Sequence, residues 1–260
     1  MFELLAEIAS NRRVTEDTWL MALCSAKIAR TANPGQFVMI RIRTGLDPFL
    51  RRPFSICGVK EDRFQVLYRV VGKGTHLMTE LKEGESLPVL GPLGKGFVDR
   101  EKPTDRILVG GGIGIAPLLF LSQFHGEKET RFLMGFRSAR DILSPQTVMG
   151  EARACRVATD DGTQGHHGPV TDLLEETLRE NAKRRMVYAC GPKPMLRKVA
   201  EMTLALEIPC QVSLEARMAC GLGACQGCAI KASPQSGRSY WYVCKEGPVF
   251  NAEEIDWEMI

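Results

Sequence analysis

Ile107-Leu108-Val109-Gly110-Gly111-Gly112-Ile113-Gly114-Ile115-Ala116-Pro117-Leu118-Leu119-Phe120-Leu121 is the longest apolar run in the chain. A membrane-spanning helix needs about 20 apolar residues. This run is shorter and holds four glycines and a proline. It reads instead as a strand over 106–109, a glycine loop over 110–114 and a helix over 116–124. A glycine loop between strand and helix is where a dinucleotide pyrophosphate sits. The loop departs from G-x-G-x-x-G, because position 115 is Ile and Pro117 falls in the first helical turn. No acid ends the next strand, Met134-Gly135-Phe136-Arg137. A doubly wound nucleotide domain is therefore expected, without a true Rossmann fingerprint.

Downstream, strands are expected over 131–136, 156–159 and 186–189, with helices over 170–181 and 194–206. Strands alternating with helices imply a parallel sheet covered on both faces. Cys190-Gly191-Pro192-Lys193-Pro194-Met195 again joins strand to helix. It reads either as a turn with helix-start prolines or as one wall of a nicotinamide site. Upstream the rhythm differs. Short alternating segments over 19–24, 36–43, 64–71 and 86–90 are separated by turns such as Asn33-Pro34-Gly35 and Lys82-Glu83-Gly84-Glu85. That spacing predicts a small antiparallel β-barrel, interrupted by one helix over 75–81 with Thr75 as N-cap. Three units follow: a barrel over 1–101, an α/β unit over 104–211 and a tail over 212–260, with the first boundary near 101–103.

Two barrel motifs suit phosphate. Arg51-Arg52-Pro53-Phe54-Ser55 lies at the expected end of a barrel segment. A planar guanidinium grips phosphate bidentately, and a serine hydroxyl reaches a heterocycle edge. Alone the motif is weak, since an Arg-Pro pair on a loop is usually a solvated turn. Gly72-Lys73-Gly74-Thr75 opens the short helix, whose first amides point at an anion. It is not a P-loop, and a glycine hairpin with a threonine cap is the alternative.

The tail carries Cys220-Gly221-Leu222-Gly223-Ala224-Cys225-Gln226-Gly227-Cys228, answered by Cys244. C-x4-C-x2-C followed by a distant cysteine is the plant-type pattern for a [2Fe-2S] cluster. Gly221, Gly223 and Gly227 let the backbone wrap and bring amides toward sulfur. Structural zinc usually shows paired C-x2-C units, and here only Cys225 and Cys228 form one. Zinc and four unrelated thiols remain as alternatives.

A net charge of +3 with no basic run among aromatics argues against nucleic acid. The first residues carry acids where a signal peptide carries bases, so neither export nor a membrane span is expected. Nine cysteines show no disulfide framework, which suits the cytoplasm.

Taken together and in this order, Arg52-Pro53-Phe54-Ser55, Gly72-Lys73-Gly74-Thr75, the 110–117 loop and the 190–195 turn resemble the ferredoxin–NADP reductase superfamily. Within it, Glu215-Ala216-Arg217-Met218-Ala219-Cys220-Gly221, Val243-Cys244-Lys245-Glu246-Gly247-Pro248-Val249-Phe250 and Gly91-Pro92-Leu93-Gly94-Lys95-Gly96-Phe97 closely resemble one family, the electron-transfer subunits of NAD-dependent dihydroorotate dehydrogenase B. The similarity covers essentially the whole chain. It implies FAD on the barrel, held by Arg52, Pro53, Phe54, Ser55, Gly74 and Thr75 and lined by Leu67, Tyr68 and Arg69. It implies NAD on the α/β unit, facing Gly111, Gly112, Gly114, Cys190, Gly191 and Pro192, and a cluster on Cys220, Cys225, Cys228 and Cys244. Arg137, Ser138 and Arg140 follow the second α/β strand, where a 2′-phosphate can dock. The resemblance further implies a partner, the FMN-containing catalytic subunit of dihydroorotate dehydrogenase, in a heterotetramer with two copies of each chain. No side chain here need act as acid, base or nucleophile, and the pair His166-His167 reads as structural.

Three rivals keep part of this evidence. One is a flavin–NAD(P)H subunit of another redox complex, of sulfhydrogenase or transhydrogenase type. Another is a stand-alone reductase feeding an oxygenase. The third is a non-enzymatic, zinc-stabilised interaction module.

Overall fold

The computed structural model describes residues 1–99, 103, 105–124, 130–144, 146, 148, 155–180 and 184–260. The N-terminal strands are β1 (Phe2–Arg13), β2 (Thr18–Cys24), β3 (Phe37–Ile40), β4 (Arg52–Lys60), β5 (Arg63–Arg69) and β6 (Ser86–Leu93). They close an antiparallel barrel in the order β1-β2-β5-β4-β3-β6. Strand alternation fills its interior: Ala6 and Ile8 on β1, Val38 and Ile40 on β3 and Phe64 and Val66 on β5 share one core. Two short helices complete this part, α1 (Ala26–Thr31) and α2 (Lys73–Thr79).

Two local expectations are corrected here. The Arg52 motif opens β4 rather than ending a segment, and Pro53 sits in the ladder opposite Met39. Thr75 is not the N-cap. Gly72 holds that position, and Thr75 lies three residues on, its Oγ1 accepting from the amides of Val71 at 2.9 Å and Gly72 at 3.2 Å. The threonine still satisfies the helix start, but from inside the first turn.

The second unit contains β7 (Asp105–Gly111), α3 (Ile115–Gln123), β8 (Thr130–Phe136), β9 (Cys155–Thr159), β10 (His166–His167), α4 (Val170–Arg179), β11 (Arg185–Cys190), α5 (Lys193–Ala205) and β12 (Cys210–Ser213). The sheet order is β10-β9-β8-β7-β11-β12, closed by β15 (Val249–Asn251). The ladders from β10 to β12 are parallel, and β15 is antiparallel to β12. Chain direction across the sheet therefore reverses between β7 and β11, the place where doubly wound folds bind ligands. The expected tail boundary at 211/212 falls inside β12. The other expected boundary lies largely outside the described residues, at 100–102 and 104, as does the expected end of α4 at 181.

α3 explains why the longest apolar run is here. Its residues from Ile115 to Ser122 are all buried, because it lies between sheet and barrel. Leu118 and Leu119 share a core with Leu20, Cys57 and Leu67 of the barrel wall, and Phe120 joins the barrel interior cluster. A helix apolar all round is one covered on every side. A second seam follows β6. Gln211 reads both backbone groups of Val98, accepting from its amide at 2.9 Å and donating to its carbonyl at 3.2 Å. Tyr188 donates its hydroxyl to Asp99 at 3.2 Å, and Arg106 donates to the same carboxylate at 2.6 Å.

The rest of the tail is a small two-stranded sheet, β13 (Ala229–Lys231) with β14 (Tyr240–Tyr242). Its ends meet at the large sheet, where Leu214 N donates to Pro248 O at 2.9 Å.

Candidate electron-transfer site

A cavity of about 460 Å³ lies where all three parts meet. From the barrel come Arg52, Pro53, Phe54 and Ser55 on β4, Leu67, Tyr68 and Arg69 on β5, and Thr75 on α2. The α/β unit contributes Ile113, Ala116 and Cys190, and the tail contributes residues 213–216, Met218 and Pro248. Gly74 stands directly behind the arginine: a Cβ there would come within 3.0 Å of Arg52 Nε. That bare backbone keeps a cradle open between the guanidinium and the first turn of α2, as a phosphate requires. Tyr68 is anchored below by its hydroxyl, which donates to Asn11 Oδ1 at 3.0 Å, and by an edge-on contact with Phe54 at 6.1 Å.

Burial dominates the titratable groups around this cavity. It raises the Tyr68 hydroxyl and keeps it protonated. It also raises the Cys190 thiol, an effect reinforced by the Glu215 charge and opposed by a Ser213 hydrogen bond. Glu215 is raised as well, because protein walls crowd its carboxyl even though the cavity leaves it open to solvent. Glu215 is a cavity residue that sequence reasoning quoted only as the lead-in to the cysteines. Its position five residues before Cys220 carried no separate signal.

The second cleft, about 430 Å³, opens at the reversal point. Gly111 and Gly112 line it from the β7 loop, Pro192 and Met195 from the β11 turn. Added Cβ atoms show why glycine is required. At Gly111 one would stand 2.7 Å from Met195 Sδ and from Pro192 Cδ. Gly114 and Gly191 line neither cavity; they let the two loops touch, a Cβ on Gly114 meeting Cys190 O at 2.5 Å. Cys190 faces the barrel-side cavity and Pro192 the cleft, so the 190–192 turn forms the partition. Arg69 lines both.

The four predicted thiols come together. Cys228 Sγ and Cys244 Sγ are 3.2 Å apart, and Cys220 and Cys225 form a second hydrogen-bonded pair. Amides aim at the sulfurs: Gly223 N at Cys244 Sγ, 3.0 Å, Leu222 N at Cys220 Sγ, 3.3 Å, and Cys225 N at the same atom, 3.4 Å. Against the burial that would raise it, amides of Cys225, Leu222 and Ala224 and the Cys225 thiol bring Cys220 down to about 6. Cys244 goes the other way, to about 12, through burial and its neighbour Cys228. Among the described residues no three His, Cys, Asp or Glu side chains gather as ligands of one ion do. Two adjacent thiol pairs with N–H donors fit a binuclear cluster, one pair for each iron. Gly221 and Gly223 adopt φ of +73° and +79°, as expected, but the third left-handed residue is Gln226 at +59° rather than Gly227. His166 and His167 are not near this centre. They form β10, with His166 Nε2 3.1 Å from Asp172 Oδ2.

Comparison with known proteins agrees with this geometry. Residues 215–256 match the model of the iron–sulfur cluster binding domain of dihydroorotate dehydrogenase B, and residues 108–201 match the oxidoreductase NAD-binding domain. The dihydroorotate dehydrogenase B (NAD(+)) electron transfer subunit of Caldanaerobacter subterraneus subsp. tengcongensis is 39% identical over 98% of this chain and 98% of its own. That of Geobacillus kaustophilus is 39% identical over 95% and 96%. Among solved structures, the NADH-dependent reduced ferredoxin-NADP oxidoreductase, described for flavin-based electron bifurcation, superposes with a TM-score of 0.84. It is 30% identical and covers 98% of this chain and 91% of that one. Phthalate dioxygenase reductase, at 17% identity and a TM-score of 0.63 over 93% and 94%, shares the fold. No helix among the described residues is long and apolar enough to cross a membrane. With barrel, nucleotide sheet and cysteine tail matched along almost its whole length, the chain belongs to the family of electron transfer subunits of NAD-dependent dihydroorotate dehydrogenase B.

Proposed function

We propose that this chain carries electrons from a dihydroorotate-oxidising, FMN-containing partner subunit to NAD⁺, as a step of pyrimidine biosynthesis. Cys220, Cys225, Cys228 and Cys244 hold a [2Fe-2S] cluster. FAD occupies the barrel-side cavity, with its phosphates on Arg52 and the Gly74–Thr75 turn, and Ser55, Leu67, Tyr68 and Arg69 against the rest. The dinucleotide takes the cleft beside Gly111 and Gly112, while Gly114 and Gly191 allow the loops to close and Cys190 and Pro192 part the two sites. When bound, a flavin links two-electron hydride chemistry to one-electron cluster chemistry. The protein's own part is to bind, orient and keep these groups adjacent. The units 1–101, 104–211 and 212–260 correspond to the three roles.

One observation carries this reading. The tail walls the same cavity as the barrel and the α/β unit, and Met218 in that wall is two residues from the ligand Cys220. A cluster on the cysteines thereby sits two residues along the chain from a wall of that cavity. The spacing of the five cysteines outside the cluster set suits a reducing cytoplasm, and a complex of two copies of each subunit is the proposed assembly.

The test is copurification. Anaerobic isolation should give a coloured complex with acid-labile sulfide, FAD in this chain, FMN in its partner, and NADH formation driven by dihydroorotate. Mass measurement of the complex checks the two-plus-two composition. A colourless protein with one zinc per chain would overturn the reading. The match to the ferredoxin-NADP oxidoreductase supports a second reading, a subunit of a different flavin-based complex. A partner that does not oxidise dihydroorotate would select it.

A further inference from the structure

The dinucleotide cleft has an inner and an outer end. Arg69 and Pro192 mark the inner one, since Arg69 also walls the flavin cavity and Pro192 closely follows Cys190, which lines it. Arg137, Asp141 and Asp160 mark the outer one, at the ends of β8 and β9. A nicotinamide that reacts with a flavin must reach the inner end, which sends the adenosine outward. In doubly wound folds a carboxylate after the second strand takes the ribose hydroxyls, whereas an arginine there takes a 2′-phosphate. Sequence alone offers the arginine, because β8 runs directly into Arg137 and Ser138.

The fold supplies the acid. A 3₁₀ turn, Ala139–Asp141, brings Asp141 back to the strand end. There its Oδ2 accepts from Ser138 Oγ at 3.1 Å and its Oδ1 lies 3.6 Å from Arg137 Nη2. The Asp141 side chain is 19% exposed and that of Arg137 71%, so the carboxylate is the held member of the pair. Asp160 adds a second negative charge to this wall, and Arg69, Arg137 and Lys198 are the cations lining the cleft.

We propose that Asp141 fixes the choice of the unphosphorylated dinucleotide, accepting from the adenosine ribose and setting a negative charge beside Arg137 and Ser138, the two donors that a 2′-phosphate needs. This rests on the cleft reading above. A phosphomonoester carries nearly two negative charges at neutral pH, and like charges a few ångströms apart repel. Removing the carboxylate frees Arg137 and Ser138 to receive that phosphate.

The test uses the holo-complex and two probes, ADP-ribose and 2′-phospho-ADP-ribose, titrated by calorimetry. Wild type should favour ADP-ribose by roughly 100-fold. Asp141→Ser should narrow that ratio by about 10-fold or more, mainly through tighter binding of the phosphorylated probe, a gain that Arg137→Ala added to it should abolish. The NADH/NADPH ratio of kcat/KM for flavin bleaching should move the same way. FAD and cluster spectra establish that the variant is folded, and Asp141→Asn serves where the serine variant is not. An unchanged ratio in a folded variant, or a wild type that prefers the phosphorylated probe, overturns the role of Asp141 alone. Binding of neither probe to wild type overturns the cleft reading and this inference with it.

Discussion

Gly221 is pressed against Met39. A Cβ at Gly221 would lie 2.7 Å from Met39 Cγ, and its φ of +73° is left-handed. The backbone at Gly221 therefore rests directly on the Met39 side chain of β3. Gly221→Ala faces both a backbone penalty and overpacking, together about 2–4 kcal/mol. The expected result is faster loss of cluster absorbance in chelator and a lower guanidinium midpoint for that signal. Cluster lifetime equal to wild type would show that the contact yields freely.

Cys225 is the exposed one of the four thiols proposed to hold the cluster. Cys225→Ser should lose the cluster's visible absorbance while FAD stays bound and NADH still bleaches it, because no atom of Cys225 lines the barrel-side cavity proposed for the flavin. Electron delivery from the partner should fall to background. Equal loss of flavin would mean that the two groups cannot be held separately.

Arg52→Ala removes a charged donor from the open cradle beside Gly74. A hydrogen bond to a charged group contributes about 1.5–3 kcal/mol, so FAD affinity should drop by roughly 10- to 100-fold. Dialysis followed by flavin fluorescence measures it. Full occupancy after dialysis would place the phosphates elsewhere.

Asp105 joins two strands at the base of the sheet. Its Oδ2 accepts from Arg185 Nε at 3.0 Å and its Oδ1 from Arg131 Nε at 3.0 Å, with Arg185 and Asp105 both nearly buried. Arg185 also donates to Leu178 O at 2.8 Å. Asp105→Asn leaves a buried guanidinium without its counter-charge and should destabilise the α/β unit by about 3 kcal/mol or more. Chemical denaturation followed by far-ultraviolet dichroism reads this directly. Cofactor spectra in the absence of denaturant should be unaltered.

The sequence made some of this legible and hid the rest for identifiable reasons. Local periodicity found β2, β3, β5, β6, β7, β8, β9 and β11, because their apolar residues alternate or run together. It missed β1, where Leu4 and Leu5 break the alternation and Leu5 faces solvent at 70% exposure. It placed Arg52 at a strand end because proline follows, yet β4 accommodates Pro53 opposite Met39. Cysteine spacing picked out four thiols that the fold brings together, since cluster chemistry fixes intervals along the chain. It did not give Asp141 or Glu215, which reach their cavities through a turn and through docking of the tail. Strand β15 was equally hidden, being three residues whose partner, β12, is some forty residues earlier.

That closing strand gives the tail the form of a stalked loop. Ser213 pairs with Val249, and Leu214 N reaches Pro248 O at 2.9 Å. The cysteine-bearing segment thus leaves and re-enters the sheet at neighbouring points, much as a branch leaves a trunk at one node. A short turn in its place would reconnect the sheet with its register intact. Such an excision should leave a two-domain protein that folds and keeps its nucleotide cleft, and the reverse graft describes how a relative without the metal segment would acquire one.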